Sequence, residues 1–180
     1  MRKVFLMAML ALAVAACKNE AKQQNNEEAT EEQQVSEEAT KTQCLTDFTD
    51  KLTLPQAGGE ELDILSEVKN YRVSVIDFWA SWCGPCRNEM PTMVELYRDN
   101  KDKGFCIFGI SVDQDYDAWT TAMGELNITW PSVLDTDGDI STKFNVEYIP
   151  FTLVVDSNGT ILATNLRGEE LKKFVEEQLK

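Results

Sequence analysis

The sequence predicts an α/β domain: a mixed β-sheet flanked by helices, with an N-terminal hairpin and a central insertion. Three observations carry this. Tyr71 to Ala80 is dominated by β-branched and aromatic residues and reads as a strand buried on both faces. A helix with one apolar face and a second strand complete a βαβ unit of about 40 residues, whose strands are then parallel. Near the C-terminus, Asn158-Gly159 between two short apolar runs marks an antiparallel hairpin.

Taken in chain order, Phe48 to Leu54 reads as a first strand, closed by Pro55 and Ala57-Gly58-Gly59. Glu60 to Ile64 returns as its hairpin partner, and Leu65 to Lys69 forms a helical turn. After the buried strand, Gly84-Pro85 opens a helix to about Asp102, with Met90, Met93, Val94 and Tyr97 on one face. Gly104 breaks the chain before a strand from Phe105 to Val112. Tyr116, Trp119, Met123 and Leu126 mark a second long helix. Asp135 to Gly138 is a turn, followed by a short helical segment carrying Ile140 and Phe144. Strands at Thr152 to Asp156 and Ile161 to Asn165 precede a last helix with Leu171, Phe174, Val175 and Leu179 on one face. No internal repeat is visible.

Upstream of this domain the chain changes character twice. Arg2 and Lys3 precede an uncharged stretch, Val4 to Ala16, which is too short for the about 20 residues a membrane-spanning helix needs. Its length suits the apolar region of a signal peptide. It ends Val14-Ala15-Ala16-Cys17, which resembles a bacterial lipoprotein signal with Cys17 as the lipidated N-terminus. Residues 1–16 are therefore expected to be removed. Residues 17–43 read as the lipidated cysteine and a disordered acidic tether, since 18–43 hold seven glutamates, three lysines and one strongly apolar residue, Val35. As a flexible coil that tether reaches roughly 30 Å. The folded domain is expected over 44–180. Lys18 after Cys17 resembles outer-membrane sorting, with the domain facing the periplasm.

Composition removes several function classes. The chain of 180 residues has a formal net charge of -14 and no histidine. The charge excludes a nucleic-acid partner, because nothing would neutralise phosphates. The missing histidine excludes Ser-His-Asp and Cys-His nucleophile pairs and histidine-ligated metals. Proton handling near neutral pH falls to Cys, Asp, Glu, Lys or Tyr with shifted pKa values.

The chemistry sits at Trp82-Cys83-Gly84-Pro85-Cys86, where a strand ends and a helix begins. A helix N-terminus supplies unpaired N–H groups and a partial positive charge, both favouring a thiolate. Cys83 is expected to be the exposed, attacking sulfur. Cys86, three residues on, is carried inward and resolves the mixed disulfide that Cys83 forms. A zinc knuckle is the competing reading. It needs further ligands in a close pair, and only Cys44 and Cys106 remain, far apart in sequence. A bridge between those two would pin the N-terminal segment to the sheet; Cys106 alternates with Phe108 and Ile110 as a core residue. No metal or other cofactor is expected beyond the redox-active Cys83–Cys86 pair itself. Asp77, in an apolar strand, is expected to have a raised pKa and to exchange a proton with Cys86, directly or through water. Glu89 lies one helical turn beyond Cys86 and is a second candidate for proton transfer or tuning.

The run Val75-Ile76-Asp77-Phe78-Trp79-Ala80-Ser81-Trp82-Cys83-Gly84-Pro85-Cys86 resembles the active-site segment of the thioredoxin superfamily. With Arg87-Asn88-Glu89-Met90-Pro91, the insertion at about 113–146 and Tyr148-Ile149-Pro150-Phe151-Thr152, it is similar to the membrane-tethered TlpA/ResA-like branch. The resemblance implies a thioredoxin-like fold and a thiol–disulfide oxidoreductase. It implies a cis bond before Pro150 beside the cysteines, pairing of the Ile149 backbone with an extended substrate, and Trp82 flanking the nucleophile. It matches Asp77 to the buried acid of thioredoxins and Glu89 to the active-site glutamate of the tethered branch. Gly-Pro between the cysteines resembles thioredoxin, whose potential of about -270 mV is reducing. The expected partners are exported proteins with disulfides, apocytochrome c among them, and a membrane electron donor. Two alternatives stand beside it. One is an AhpC/TSA-like thiol peroxidase, which places its reactive cysteine after a threonine-containing loop rather than after Trp82. The other is a copper-binding or non-catalytic lipoprotein.

Overall fold

In a computed structural model, the structure describes residues 42–180. Cys17, expected to be lipidated, and nearly all of the segments expected to be a signal peptide and a tether lie outside the described residues.

The first elements are short. Leu45–Asp47 forms a 3-10 turn, with the Asp47 carboxylate accepting from Cys44 N at 2.9 Å. Strands β1 (Thr53–Pro55) and β2 (Glu61–Asp63) make an antiparallel hairpin. The expected strand from Phe48 is thus confined to its end. Leu45 and Leu52 instead enter the core singly, each with no exposed surface. Asp63 accepts from Leu65 N and caps α1 (Ile64–Glu67), which continues into a 3-10 turn.

Strand β3 (Val73–Trp79) is buried at every position. Helix α2 (Gly84–Asn100) follows and ends in a 3-10 turn that Gly104 terminates at φ +84°, a conformation open to glycine at little cost. Strand β4 (Phe105–Ser111) runs parallel to β3. Asp115 caps α3 (Tyr116–Glu125) through Asp117 N and Ala118 N. A strand not foreseen in the sequence, β5 (Ser132–Leu134), pairs parallel with β4. Helix α4 (Asp139–Lys143), the hairpin β6 (Phe151–Asp156) and β7 (Ile161–Thr164), and helix α5 (Gly168–Gln178) complete the domain.

The main sheet has the order β5-β4-β3-β6-β7, parallel on the β4 side of β3 and antiparallel on the β6 side. Alternation along β3 divides the core. Val73, Val75 and Trp79 pack with Met90 and Met93 of α2 and Leu171 and Val175 of α5. Ile76 and Phe78 pack on the other face with Leu45, Leu52, Ile64, Val68 and Phe144. Cys106 belongs to that second cluster as a buried free thiol, so the bridge to Cys44 is not formed. The reason is topological: Cys44 pairs with Thr160 at one sheet edge, whereas Cys106 lies opposite Ser74 inside the sheet.

Candidate active site

Strand β3 ends at Trp79, and Ala80-Ser81-Trp82 carries the chain over the end of the sheet to α2. Cys83 is the N-cap residue of α2 in extended backbone, and Pro85 sits in the first turn, where a missing N–H costs nothing. Cys83 and Cys86 are joined by a disulfide with S–S 2.04 Å and Cα atoms 5.3 Å apart. Cys86 N donates to Cys83 Sγ at 3.2 Å. This is the side-chain capping bond that serine or aspartate makes elsewhere, and after reduction it would favour a thiolate at Cys83. Cys83 keeps 5 % of its surface and Cys86 none. The expected asymmetry is present, but Cys83 is nearly buried rather than exposed.

Two carboxylates stand behind the disulfide. Asp77 is in the middle of β3, 3 % exposed. Burial, and then the neighbouring Glu89, raise its pKa to about 7, while Arg167 acts in the opposite direction. Glu89 is half-buried on α2, and its Oε2 accepts from Gly168 N at 3.0 Å, which ties α2 to the start of α5. Asp77, Cys86, Glu89, Pro150, Thr152 and Arg167 line a cavity of about 10 Å³, the space of a single water.

The Ile149–Pro150 peptide bond is cis, and Pro150 lies against Cys86 across that cavity. On the outer side Trp82 is 68 % exposed and Tyr148 57 %. Trp82 borders two open grooves. One runs toward Val112, Gln114 and Asp115, the other toward Val146, Tyr148 and Ile149. Every predicted site residue in the domain therefore gathers at one end of the sheet.

Two residues were missed. Asp113, 1 % exposed, accepts from Ser81 N at 2.8 Å, Ser81 Oγ at 2.7 Å and Ser111 Oγ at 2.6 Å. It fastens the end of β4 to the loop that presents Cys83. The signal was an aspartate just after a buried parallel strand, at the carboxyl ends where sites collect in open α/β sheets. Arg167 donates to the Pro150 carbonyl and reaches the cavity from beyond β7; no pattern in the sequence marks it. Among the described residues no group of three or more Cys, Asp or Glu side chains is arranged to hold a metal ion.

Comparison with known proteins gives a consistent set. The family model described as AhpC/TSA family matches residues 43–164. A protein named thiol-disulfide oxidoreductase ResA from Bacillus thuringiensis is 32% identical over 105 residues, which is 58% of this chain and 60% of that one. The matched part thus spans less than two thirds of that relative's length. The Geobacillus kaustophilus protein of the same name is 28% identical over 141 residues, covering 72% of this chain and 81% of its own. The thioredoxin domain of a thiol-disulfide oxidoreductase from Bacteroides vulgatus superimposes with a TM-score of 0.67 at 31% identity, covering 72% of this chain and 93% of that structure.

Proposed function

The chain belongs to the AhpC/TSA family and has a thioredoxin-like α/β fold, and on that premise we propose that it is a thiol–disulfide oxidoreductase acting through Cys83 and Cys86. The observation that carries this is the Cys83–Cys86 bridge at the N-terminus of α2, backed by a buried aspartate with a pKa of about 7.

The reaction runs on sulfur and protons alone. In the reduced protein the Cys83 thiolate attacks one sulfur of a client disulfide. A Cys83–client disulfide forms, and the other client sulfur leaves as a thiolate that takes up a proton. The Cys86 thiol then passes its proton to the Asp77 carboxylate, and a single water in the cavity is a sufficient relay. The Cys86 thiolate attacks Cys83 Sγ, re-forming the Cys83–Cys86 bridge and releasing the second client thiolate. The client gains two electrons and the protein loses two. Glu89 assists by adding negative charge that keeps Asp77 basic. Trp82, Ile149 and Pro150 hold the client segment: Trp82 offers an aromatic face, and the Ile149 backbone pairs with an extended chain beside the sulfurs.

In the cell, the reading is a reductant of disulfides in exported proteins, apocytochrome c cysteines among the clients, recharged by a membrane electron donor. The anchor is a lipid on Cys17, in the outer membrane rather than the inner, with the domain facing the periplasm. No helix among the described residues is long and apolar enough to cross a membrane. Loss of membrane association in Cys17→Ser tests the anchor. Reduction of insulin disulfides by the wild type but not by Cys83→Ser tests the chemistry. A measured potential near about -120 mV instead of about -270 mV would reverse the direction to an oxidant.

The family match supplies a second reading, a thiol peroxidase. It requires peroxide consumption that survives Cys86→Ala, and Trp82 immediately before Cys83 weighs against it.

A further inference from the structure

One charged side chain at the site has no part in the exchange just described. Arg167 is the last residue before α5. Its Nη2 donates to the Pro150 carbonyl and, at 2.9 Å, to Asn165 Oδ1. The same side chain lines the cavity shared by Asp77, Cys86 and Glu89, and its Nε–H is buried with no hydrogen-bond partner. A guanidinium stays charged at any working pH and holds its donors in a fixed plane. One edge is thus committed to the loop that contacts the client, and the buried remainder stands beside the acid. A buried unpaired donor on a cation is costly, and a polar cavity the size of one water is where it would be satisfied.

We propose that Arg167 is a positioning residue for proton transfer: it holds the Pro150 loop against the dithiol and, from the same seat, sets its cation at the cavity where Asp77 takes the proton of Cys86. The proposal rests on the oxidoreductase reading. The groups facing Asp77 are few enough to name. Glu89 and Cys86 come from α2, and Arg167 from the β7–α5 junction. The neighbouring strands place Gly109 and Thr152 opposite it, neither charged. Burial and Glu89 both favour the protonated acid, and Arg167 is the cation that opposes them. Without it, a smaller fraction of Asp77 would be ionised at neutral pH and ready to accept the proton. Glu89 is fastened to Gly168, the next residue along. The β7–α5 junction therefore sets both charges around Asp77.

The test is the titration of the Asp77 carboxyl in the oxidised protein, followed by carbon NMR in wild type, Arg167→Gln and Arg167→Lys. The Gln variant is expected to raise the midpoint by about one pH unit, and Lys to restore it most of the way. The acid limb of insulin reduction should move with it, and should stop responding to Arg167→Gln once Asp77→Asn is present. If Arg167→Gln lowers Tm but leaves the Asp77 midpoint in place, the residue is a structural strut and the proposal falls. Arg167→Met carries the same test should the Gln variant not fold. A wild type that reduces no disulfide at any pH would sink the oxidoreductase reading, while the titration would still report whether Arg167 acts on Asp77.

Discussion

Asp77 sits among apolar neighbours because β3 is covered on both faces, and its carboxyl answers by holding a proton to about pH 7. This has a consequence for stability with a definite sign. The unfolded chain releases that proton near 3.8 and the folded chain near 7, so the folded state binds the extra proton in between. Stability from this group is present at low pH and is lost as pH rises from about 4 to about 7, by on the order of 4 kcal/mol. Asp77→Asn is therefore expected to be more stable than wild type at pH 8, with the gain vanishing toward pH 4, as followed by urea unfolding. A pH-independent difference would contradict the account. Opposite Asp77 on β4 lies Gly109, where a Cβ would meet Ser132 Oγ at 2.8 Å and the indole nitrogens of Trp79 and Trp130 at 3.3 Å each. Its backbone is ordinary, so space alone excludes a side chain. Gly109→Ala is expected to cost about 1–3 kcal/mol in the same measurement.

Among the elements, α2 and the loop before it matter most. Asp113 anchors that loop through both the backbone and the hydroxyl of Ser81. Asp113→Ala leaves buried donors unpaired and should destabilise by about 2–3 kcal/mol. It should also slow the first thiolate attack in stopped-flow traces, with Asp113→Asn retaining part of both. Long or strongly patterned elements were legible: β3 from its β-branched run, α2 from its apolar face, the β6–β7 hairpin from Asn158-Gly159. The pair Cys83 and Cys86 announced itself by spacing and context, and Asp77 by being a charge in an apolar strand. Strand β5 was not legible, because three residues after Pro131 carry no period and their pairing with β4 is purely tertiary. Phe48 to Leu54 misled for the converse reason: it has apolar residues enough for a strand, but Leu52 fills the core singly and pairing begins only at Thr53. Arg167 and Asp113 act through partners 17 and 32 residues away, a relation that local pattern does not encode.

At the scale of the whole molecule, the N-terminal arm closes the fold by touching both sheet edges. Cys44 bridges to Thr160 beside β7, and Gln56 bridges to Val133 of β5. Leu45 N donates to Gly159 O at 2.8 Å, and Ile161 N to Gln43 O at the same distance. Unpaired edges invite association with other chains, so this arm protects the sheet as well as the core. Leu45→Ala is expected to cost about 2–5 kcal/mol in urea unfolding, and an unchanged midpoint would remove the arm from the cooperative unit. The arm enters beside the β6–β7 turn, at the end of the sheet away from the dithiol, which leaves the Trp82 face open for the proposed client.

The central claim is that Cys83 captures a client sulfur and Cys86 releases it. The most direct measurement is trapping: reduced Cys86→Ala is mixed with a disulfide-bonded client and the products are mapped by mass spectrometry. A stable mixed disulfide at Cys83, absent in Cys83→Ser, is the expected result. No adduct, or an adduct that persists without Cys83, would contradict it.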